Sequence, residues 1–435
     1  MSIAGSAASA ERSERGAEQS STVKSELGGP VLVSAPAAEA AGPEGPVSVR
    51  AIGRRLRSGE LGSWPVVVGL AVIWVVFQSL NDNFLTSQNL YNLALQITAT
   101  GAISIGVVMV LLLGEIDLSV GSVSGLAGAM LAGFTVRNGM PDAVGIVTVV
   151  ALCALIGTMH GLIVTKVGVP SFVVGLAGLI GWQGVQLYVL GPQGTVNFPY
   201  EGFVARLTHT SLAPAAGWLL AVATVACYLA AVLYDRRQRR AAGLPLRPVR
   251  QIALRAGVLA AGVGITVLVL NAWRGVPLAL LILVGFVVGF DLILRRTRYG
   301  RSIFAIGGNV EASRRAGLNV DRIRISVFAL ASAMAAIGGI LAASRVYSVG
   351  QQSGGNDVLL LAIAAAVIGG TSLFGGRGST YSALLGGLVI GSITSGMLLL
   401  QLGSAERFMI TAAVLLAAVI LDSLSRRGRQ TSGRQ

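Results

Sequence analysis

Charged residues are scarce in this sequence, where they make up only 12% of 435 residues against roughly 25% in typical soluble chains. Cysteine and histidine are scarcer still, with two residues of each, and Cys153 and Cys227 both lie in apolar stretches. His160 and His209 are far apart in sequence, with no cluster of possible ligands around either. The low charge argues against a soluble globular protein of this size, and the few cysteines and histidines argue against a disulfide framework, a metal site and a catalytic histidine.

Apolar residues take the place of charge, because 53% of the chain is hydrophobic and the mean hydropathy is +0.73. Blocks of about 18 or more apolar residues can cross a bilayer as helices. Stretches such as 66–77 lack the alternation of a membrane β-barrel strand. The sequence therefore predicts an all-α, polytopic integral membrane protein. Glycines spaced four apart, such as Gly121 and Gly125, would let its helices pack closely.

The apolar blocks predict twelve membrane helices, an even number that places both chain termini on one side of the bilayer. On that side lie all lysines and arginines except Arg137, Arg206, Arg274, Arg345 and Arg407. Because positive charge accumulates in cytoplasmic loops, both termini are predicted to be cytoplasmic. The predicted segments are 64–80, 89–113, 119–136, 143–164, 171–190, 214–234, 254–271, 277–294, 326–344, 357–371, 381–401 and 407–423.

Both ends of the chain are predicted to lie outside the membrane. Residues 1–63 are rich in Ala, Ser, Gly, Glu and Pro without an apolar run, which predicts a disordered cytoplasmic tail rather than a signal peptide. Residues 426–435 form a short basic tail. The net charge of +14 then reflects membrane topology, and no nucleic-acid partner is predicted, since no basic patch is interleaved with aromatic residues.

A basic stretch at 295–325 is long for a connection between membrane helices. Asn309 is a suitable N-cap, Glu311 falls in the first turn, and Gly317 is a suitable C-terminal stop. These signals predict a helix of about two turns outside the membrane. Two interpretations remain open: a basic loop that only sets topology, or a rigid element that docks to a cytoplasmic partner.

Uncharged polar side chains recur along the second predicted membrane helix. Their spacing of four residues places them on nearly one helix face, and amides and hydroxyls suit a neutral, polyhydroxylated solute. Hydrogen bonding between helices is the open alternative, worth roughly 0.6 kcal/mol for each bond. The residues are Gln88, Asn92, Gln96 and Thr100, with Gln183 and Gln186 as a similar pair on the fifth helix.

Two glycine-rich connections hold further candidate residues. The first, GEIDLSVGS at 114–122, contains Glu115 and Asp117, and an acidic side chain costs about 2.5–3.5 kcal/mol at a membrane helix centre. Both are therefore predicted at an interface or a watered cavity, with Asp117 as N-cap of the next helix; a proton-coupled role is the alternative. The second, GGTSLFGGRG at 369–378, lacks the lysine and preceding strand of a phosphate-binding loop.

Three of these segments resemble the signatures of binding-protein-dependent ABC permeases, in their ribose, xylose and galactose branch. GGNVEASRRAGLNV at 307–320 resembles the loop with the EAA…G coupling motif, although Ser313 replaces the third motif residue. The resemblance implies that the residues that couple the permease to its ATPase are Gly307, Gly308, Asn309, Glu311, Ala312 and Gly317.

The two glycine-rich connections resemble the G-G-I-D-L-S-V-G and GGTSLxGGxG signatures of the same branch. Glu115 departs from the first signature, where a small residue is usual. The matching signature residues are Asp117, Ser119, Gly121, Gly370, Ser372, Gly375 and Gly376.

The resemblance implies a ten-helix permease core with an extra helix pair at about 214–271. Because xylose-type members of the branch are longer in this region than ribose-type members, the extra pair favours a xylose-type permease. Such a permease dimerises around a central pathway in the bacterial plasma membrane and receives a monosaccharide from an extracytoplasmic binding protein. A separate cytoplasmic subunit binds and hydrolyses ATP, so this chain would hold no cofactor and catalyse no reaction. Open alternatives are a branched-chain amino acid ABC permease and a secondary transporter driven by an ion gradient.

Overall fold

The computed structural model describes residues 64–246 and 248–431, and the predicted N-terminal tail at 1–63 lies outside the described residues. Within this part the fold consists of fifteen helices and two three-residue strands. Residues 426–431 of the predicted C-terminal tail continue the last helix, and 432–435 lie outside the described residues.

The helices before the first strand are α1 Trp64–Leu80, α2 Ser87–Leu112, α3 Val120–Ala132, α4 Asp142–Leu162 and α5 Ser171–Leu190. Short π-helical turns extend α3 to Arg137 and α4 to Val167. The remaining elements are β1 Thr195–Asn197, α6 Phe203–His209, α7 Pro214–Ala241, α8 Val249–Asn271, α9 Leu278–Arg296, α10 Arg298–Gly308, α11 Val310–Arg315, α12 Val320–Val346, β2 Ser348–Gly350, α13 Asn356–Ile368, α14 Tyr381–Leu399 and α15 Ser404–Thr431.

The prediction of an all-α membrane protein is confirmed, because nine helices of the described part are long and apolar enough to cross a bilayer. Each of the twelve predicted segments coincides with a helix, including the shorter α1 and α13 and the final α15. The number of crossings and the side of the termini stay predictions.

The predicted membrane segment 326–344 lies inside the longer helix α12, which begins six residues earlier, at Val320. Asn319 caps this helix by accepting a hydrogen bond from the Arg322 backbone N–H at 3.0 Å. The polar first turns of α12 lie before the apolar run, inside the stretch 295–325 that the sequence predicts as a connection. A capped helix can begin outside the membrane, so its apolar stretch marks only part of its length.

The core is organised around α12, which packs against α2, α3 and α4. Glycines at these contacts remove the side chains that would keep the backbones apart. A Cβ atom on Gly106 of α2 would lie 2.7 Å from the Ala331 carbonyl oxygen, and one on Gly157 of α4 would collide with the Phe328 carbonyl oxygen. The abundance of glycine in the sequence therefore corresponds to close backbone packing.

Connections between the helices contact one another at two separate ends of the bundle. At the end called here the basic end, Glu115 pairs with Arg324 and Lys166 with Asp321, each at 2.8 Å. The opposite hairpin end contains the antiparallel pairing of β1 with β2. The connections at the basic end are 113–119, 168–170, 297–319 and 369–380. This division agrees with the predicted alternation of helices across the bilayer.

Candidate functional site

The predicted connection at 295–325 contains two helices outside the membrane-spanning set, of which the sequence analysis found only α11. The missed helix, α10, is N-capped by Thr297, whose Oγ accepts from the Gly300 backbone N–H at 3.1 Å. Its residues Ile303 and Ile306 are buried. The threonine followed by apolar positions three apart was a readable signal for an amphipathic helix.

A side-chain contact fixes α10 against α12. The Tyr299 hydroxyl lies 2.7 Å from Ser326 Oγ, in hydrogen-bonding geometry. Burial raises the pKa of the Tyr299 phenol, while the hydrogen bond to Ser326 acts in the opposite direction. The phenol therefore stays neutral near pH 7, and the contact is a neutral hydrogen bond.

The helix predicted from Asn309 is confirmed as α11, and its caps are those expected. Asn309 Oδ1 accepts from the Ala312 backbone N–H at 2.9 Å, and Gly317 ends the element in the left-handed conformation with φ +81°. Ser313 faces inward and is buried, whereas Glu311 and Ala312 are exposed. The helix is thus anchored on one side and open on the other.

The three signature segments, distant in sequence, meet at the basic end in a contact called here the three-glycine junction, formed by Gly114, Gly307 and Gly375. A Cβ atom on Gly375, whose φ is +85°, would lie 2.7 Å from Gly307 O and 2.9 Å from Gly114 N. The Gly376 backbone N–H donates to Leu112 O at 2.9 Å. The end of α10 is therefore in backbone contact with both glycine-rich connections.

The 369–378 connection is a compact turn stabilised by its own backbone. Gly370 and Gly376 adopt positive φ angles of +104° and +70°, which glycine tolerates without strain. The Ser372 backbone N–H donates to Arg377 O at 3.0 Å, and Ser372 Oγ accepts from the Phe374 backbone N–H at 3.2 Å. The positions singled out by the signature are thus those that shape the turn.

A buried polar chain begins at the first glycine-rich connection and includes a histidine that the sequence analysis set aside. Asp117 is 5% exposed, and its Oδ1 accepts from the Ser119 backbone N–H at 2.9 Å and from Ser119 Oγ at 2.6 Å. Ser119 Oγ lies 3.3 Å from His160 Nδ1, and His160 Nε2 accepts from Trp182 Nε1–H at 3.0 Å. His160 is thus part of a hydrogen-bonded chain that the sequence does not indicate.

The role of Asp117 also differs from the one predicted. The N-cap of α3 is Ser119, and Asp117 stabilises the turn just before this helix by accepting from the Ser119 backbone N–H. Asp117 and Glu115 both line a cavity of about 210 Å³ at the basic end. Within the described part of the chain, Asp117 Oδ2 is buried and has no hydrogen-bond partner. Gly121, the last residue of this signature, is buried against Leu359.

The predicted polar face of α2 is open. Gln88 and Asn92 are exposed, Gln96 and Thr100 are half-buried, and most of the other residues of this helix are buried. Among the described residues none makes a side-chain hydrogen bond to any of these four. They form a polar strip, whose donors and acceptors are open to solvent or a solute, on an otherwise enclosed helix.

The pair on α5 divides between two environments. Gln183 is exposed. Gln186 is 1% exposed, and its Nε2 donates to Gly350 O at 3.1 Å and to Ser353 O at 2.9 Å. For Gln186 the structure supports the alternative of a packing hydrogen bond, because its amide fastens α5 to the segment after β2 and does not face an open path.

A family profile described as "Branched-chain amino acid transport system / permease component" matches residues 89–421, which is most of the chain. The chain belongs to this permease family. It is a multi-pass membrane protein, as the apolar helices of its described part also indicate. No solved structure matches the permease.

Several relatives of the permease are named for sugar transport. It is 34% identical over 373 residues to the xylose transport system permease protein of Escherichia coli (strain K12), covering 86% of this chain and 94% of the relative. The corresponding protein of Haemophilus influenzae is 33% identical, covering 86% and 99%. The ribose import permease protein of Escherichia coli (strain K12) is 30% identical, covering 82% and 92%. The resemblance to the ribose and xylose branch is confirmed.

Proposed function

We propose that this chain is the membrane-spanning permease subunit of an ATP-binding cassette importer for a monosaccharide, in the bacterial plasma membrane. The observation that carries the proposal is the similarity to xylose and ribose permeases over more than four fifths of the chain. Amino acids are named only in the description of the family. Because the xylose-type relatives are the more similar of the two, the proposed substrate is a xylose-like pentose or a related sugar.

Coupling to ATP is proposed to occur through α11 at the basic end, which would be cytoplasmic together with both termini. The exposed Glu311 and Ala312 would enter a groove of a separate ATP-binding subunit, which would bind and hydrolyse the ATP. The rigid caps of α11 and the contact of Gly307 with the two glycine-rich connections support this role. When α11 is docked to the ATP-binding subunit, its movement would be transmitted to the C-terminal ends of α2 and α13.

The sugar path is proposed to run along the polar strip of α2, between two copies of this permease. The unpaired amides and hydroxyls can donate hydrogen bonds to sugar hydroxyls and accept bonds from them. An extracytoplasmic sugar-binding protein would deliver the sugar at the hairpin end. No cofactor is proposed for this chain.

Uptake by vesicles tests this function. The permease is reconstituted with its ATP-binding and solute-binding partners, and entry of labelled xylose, ribose and leucine is measured with and without ATP. ATP-dependent entry of a pentose is expected. Entry of leucine alone would favour the branched-chain amino acid alternative. Sugar entry that persists without the ATP-binding subunit but collapses with an uncoupler would favour a secondary transporter.

A further inference from the structure

Two ion pairs hold the first turns of α12 to neighbouring segments. Arg324 Nη2 lies 2.8 Å from Glu115 Oε1, with side chains only 18% and 15% exposed. Asp321 Oδ2 lies 2.8 Å from Lys166 Nζ at the end of α4, with side chains 32% and 62% exposed. An ion pair shielded from water is screened less than an exposed one. The Glu115–Arg324 pair is therefore the stronger candidate for a mechanical link.

On one side, this pair is connected by a short stretch of chain to α11, called here the coupling helix. Only residues 316–319 separate α11 from α12, and Asn319 caps the helix that follows. Arg324 lies near the start of α12, just after this cap. A displacement of α11 must therefore reach Arg324 with little slack in the chain between them.

On the other side, Glu115 belongs to the non-helical segment that leads into α3. The preceding Gly114 has φ +78°, and the segment regains helical structure only at Val120. Within it, the Ile116 backbone N–H donates to Ser171 Oγ at 3.4 Å, and Asp117 is held by Ser119. A pull on Glu115 would thus be transmitted to the beginning of α3.

Glu115 departs from the signature that this segment resembles, which has a small residue at the same position. A small side chain could not reach Arg324. Arg324 Nε is buried without a hydrogen-bond partner among the described residues, so the Glu115 carboxylate is the partner that the structure gives this guanidinium.

We propose that the Glu115–Arg324 ion pair joins the coupling helix to the start of α3 and sets how much ATP hydrolysis is converted into sugar import. Both are positioning residues that act through α3 and not by touching sugar or nucleotide. This inference rests on the proposed function. Its consequence is specific: breaking the pair separates ATP turnover from transport, whereas a general loss of folding lowers both together.

The test measures ATP hydrolysed per sugar imported by the reconstituted importer. Glu115→Gln and Arg324→Gln are each expected to raise this ratio about 5-fold or more, the lower end of coupling between sites. The charge-swapped double variant, Glu115→Arg with Arg324→Glu, is expected to bring the ratio back toward that of the wild type. Arg237→Gln, which removes an exposed arginine on α7 without an ion pair in the described part of the chain, is the control and should leave it unchanged.

Glu115→Asp keeps the carboxylate and is the conservative variant for comparison. The inference predicts a lower ratio for Glu115→Asp than for Glu115→Gln. Equal ratios in these two variants, or a wild-type ratio in Glu115→Gln, would overturn it. A wild-type importer that moves no sugar would instead refute the proposed function, so the two failures are distinguishable.

Discussion

Replacing Gly307 by alanine puts a methyl group into the three-glycine junction, where there is no space for it. The added Cβ atom would collide with Leu112 O and lie 2.6 Å from Gly376 N. Both neighbours are backbone atoms, which cannot rotate away as the end of a side chain can. The substitution must therefore separate α10 from the 369–378 connection or break the hydrogen bond from Gly376 N–H to Leu112 O.

The expected cost can be worked from two contributions. Forcing a methyl group into a packed site costs about 1–3 kcal/mol, and a lost backbone hydrogen bond costs about 1 kcal/mol more. The adjacent Gly308→Ala is the matched control, because a Cβ atom there would meet nothing within 4 Å. Both variants gain the same stability from the higher helix propensity of alanine than of glycine, about 0.5–1 kcal/mol. Gly307→Ala should therefore be about 2–4 kcal/mol less stable than Gly308→Ala.

The assay compares both variants with the wild type by thermal unfolding in detergent and by ATP-driven sugar uptake in vesicles. Gly307→Ala should unfold at a clearly lower temperature than the wild type and lose uptake, while Gly308→Ala should unfold at the wild-type temperature or slightly above it. Equal unfolding temperatures and equal uptake in the two variants would refute the close contact on which this reasoning depends.

Three further outcomes are expected. Asn309→Ala removes the cap that accepts from Ala312 N–H, so α11 should lose about 1 kcal/mol and less ATP-binding subunit should co-purify; undiminished co-purification would contradict this. Asn92→Leu should lower sugar uptake with folding intact, since an exposed amide of the polar strip is lost, and unchanged uptake kinetics would return this residue to packing. Gln186→Leu should lower the unfolding temperature, because two part-buried hydrogen bonds are lost at about 1 kcal/mol each; a wild-type unfolding temperature would argue against that role.

Local signals made much of the fold predictable. Apolar runs located the membrane helices, because burial in lipid is decided residue by residue along a helix of sufficient length. The caps at Asn309 and Gly317 located α11, because capping involves only neighbouring residues. Hydropathy does not indicate the first turns of α12, because Asp321, Arg322 and Arg324 are charged and precede the apolar run.

Contacts between distant segments could not be predicted in this way. Ser119 and His160 are separated by 41 positions, and no pattern near either residue indicates the other. Glu115 was recognised as unusual in a membrane segment, but its partner Arg324 resembled any other basic loop residue. The glycine-rich connections could be predicted as turns, whereas their meeting at one junction depends on how the helices between them pack.

The separate observations converge on α12. Its first turns form both ion pairs, its middle packs against glycines of α4 and α2, and its end leads into β2. Closely packed helices shift between discrete arrangements more readily than they deform, so α12 would carry a displacement of α11 toward the hairpin end. Whether α3 follows would depend on the Glu115–Arg324 pair. Without that pair, α11 and α12 could still respond to the ATP-binding subunit, which is why ATP turnover should outlast import.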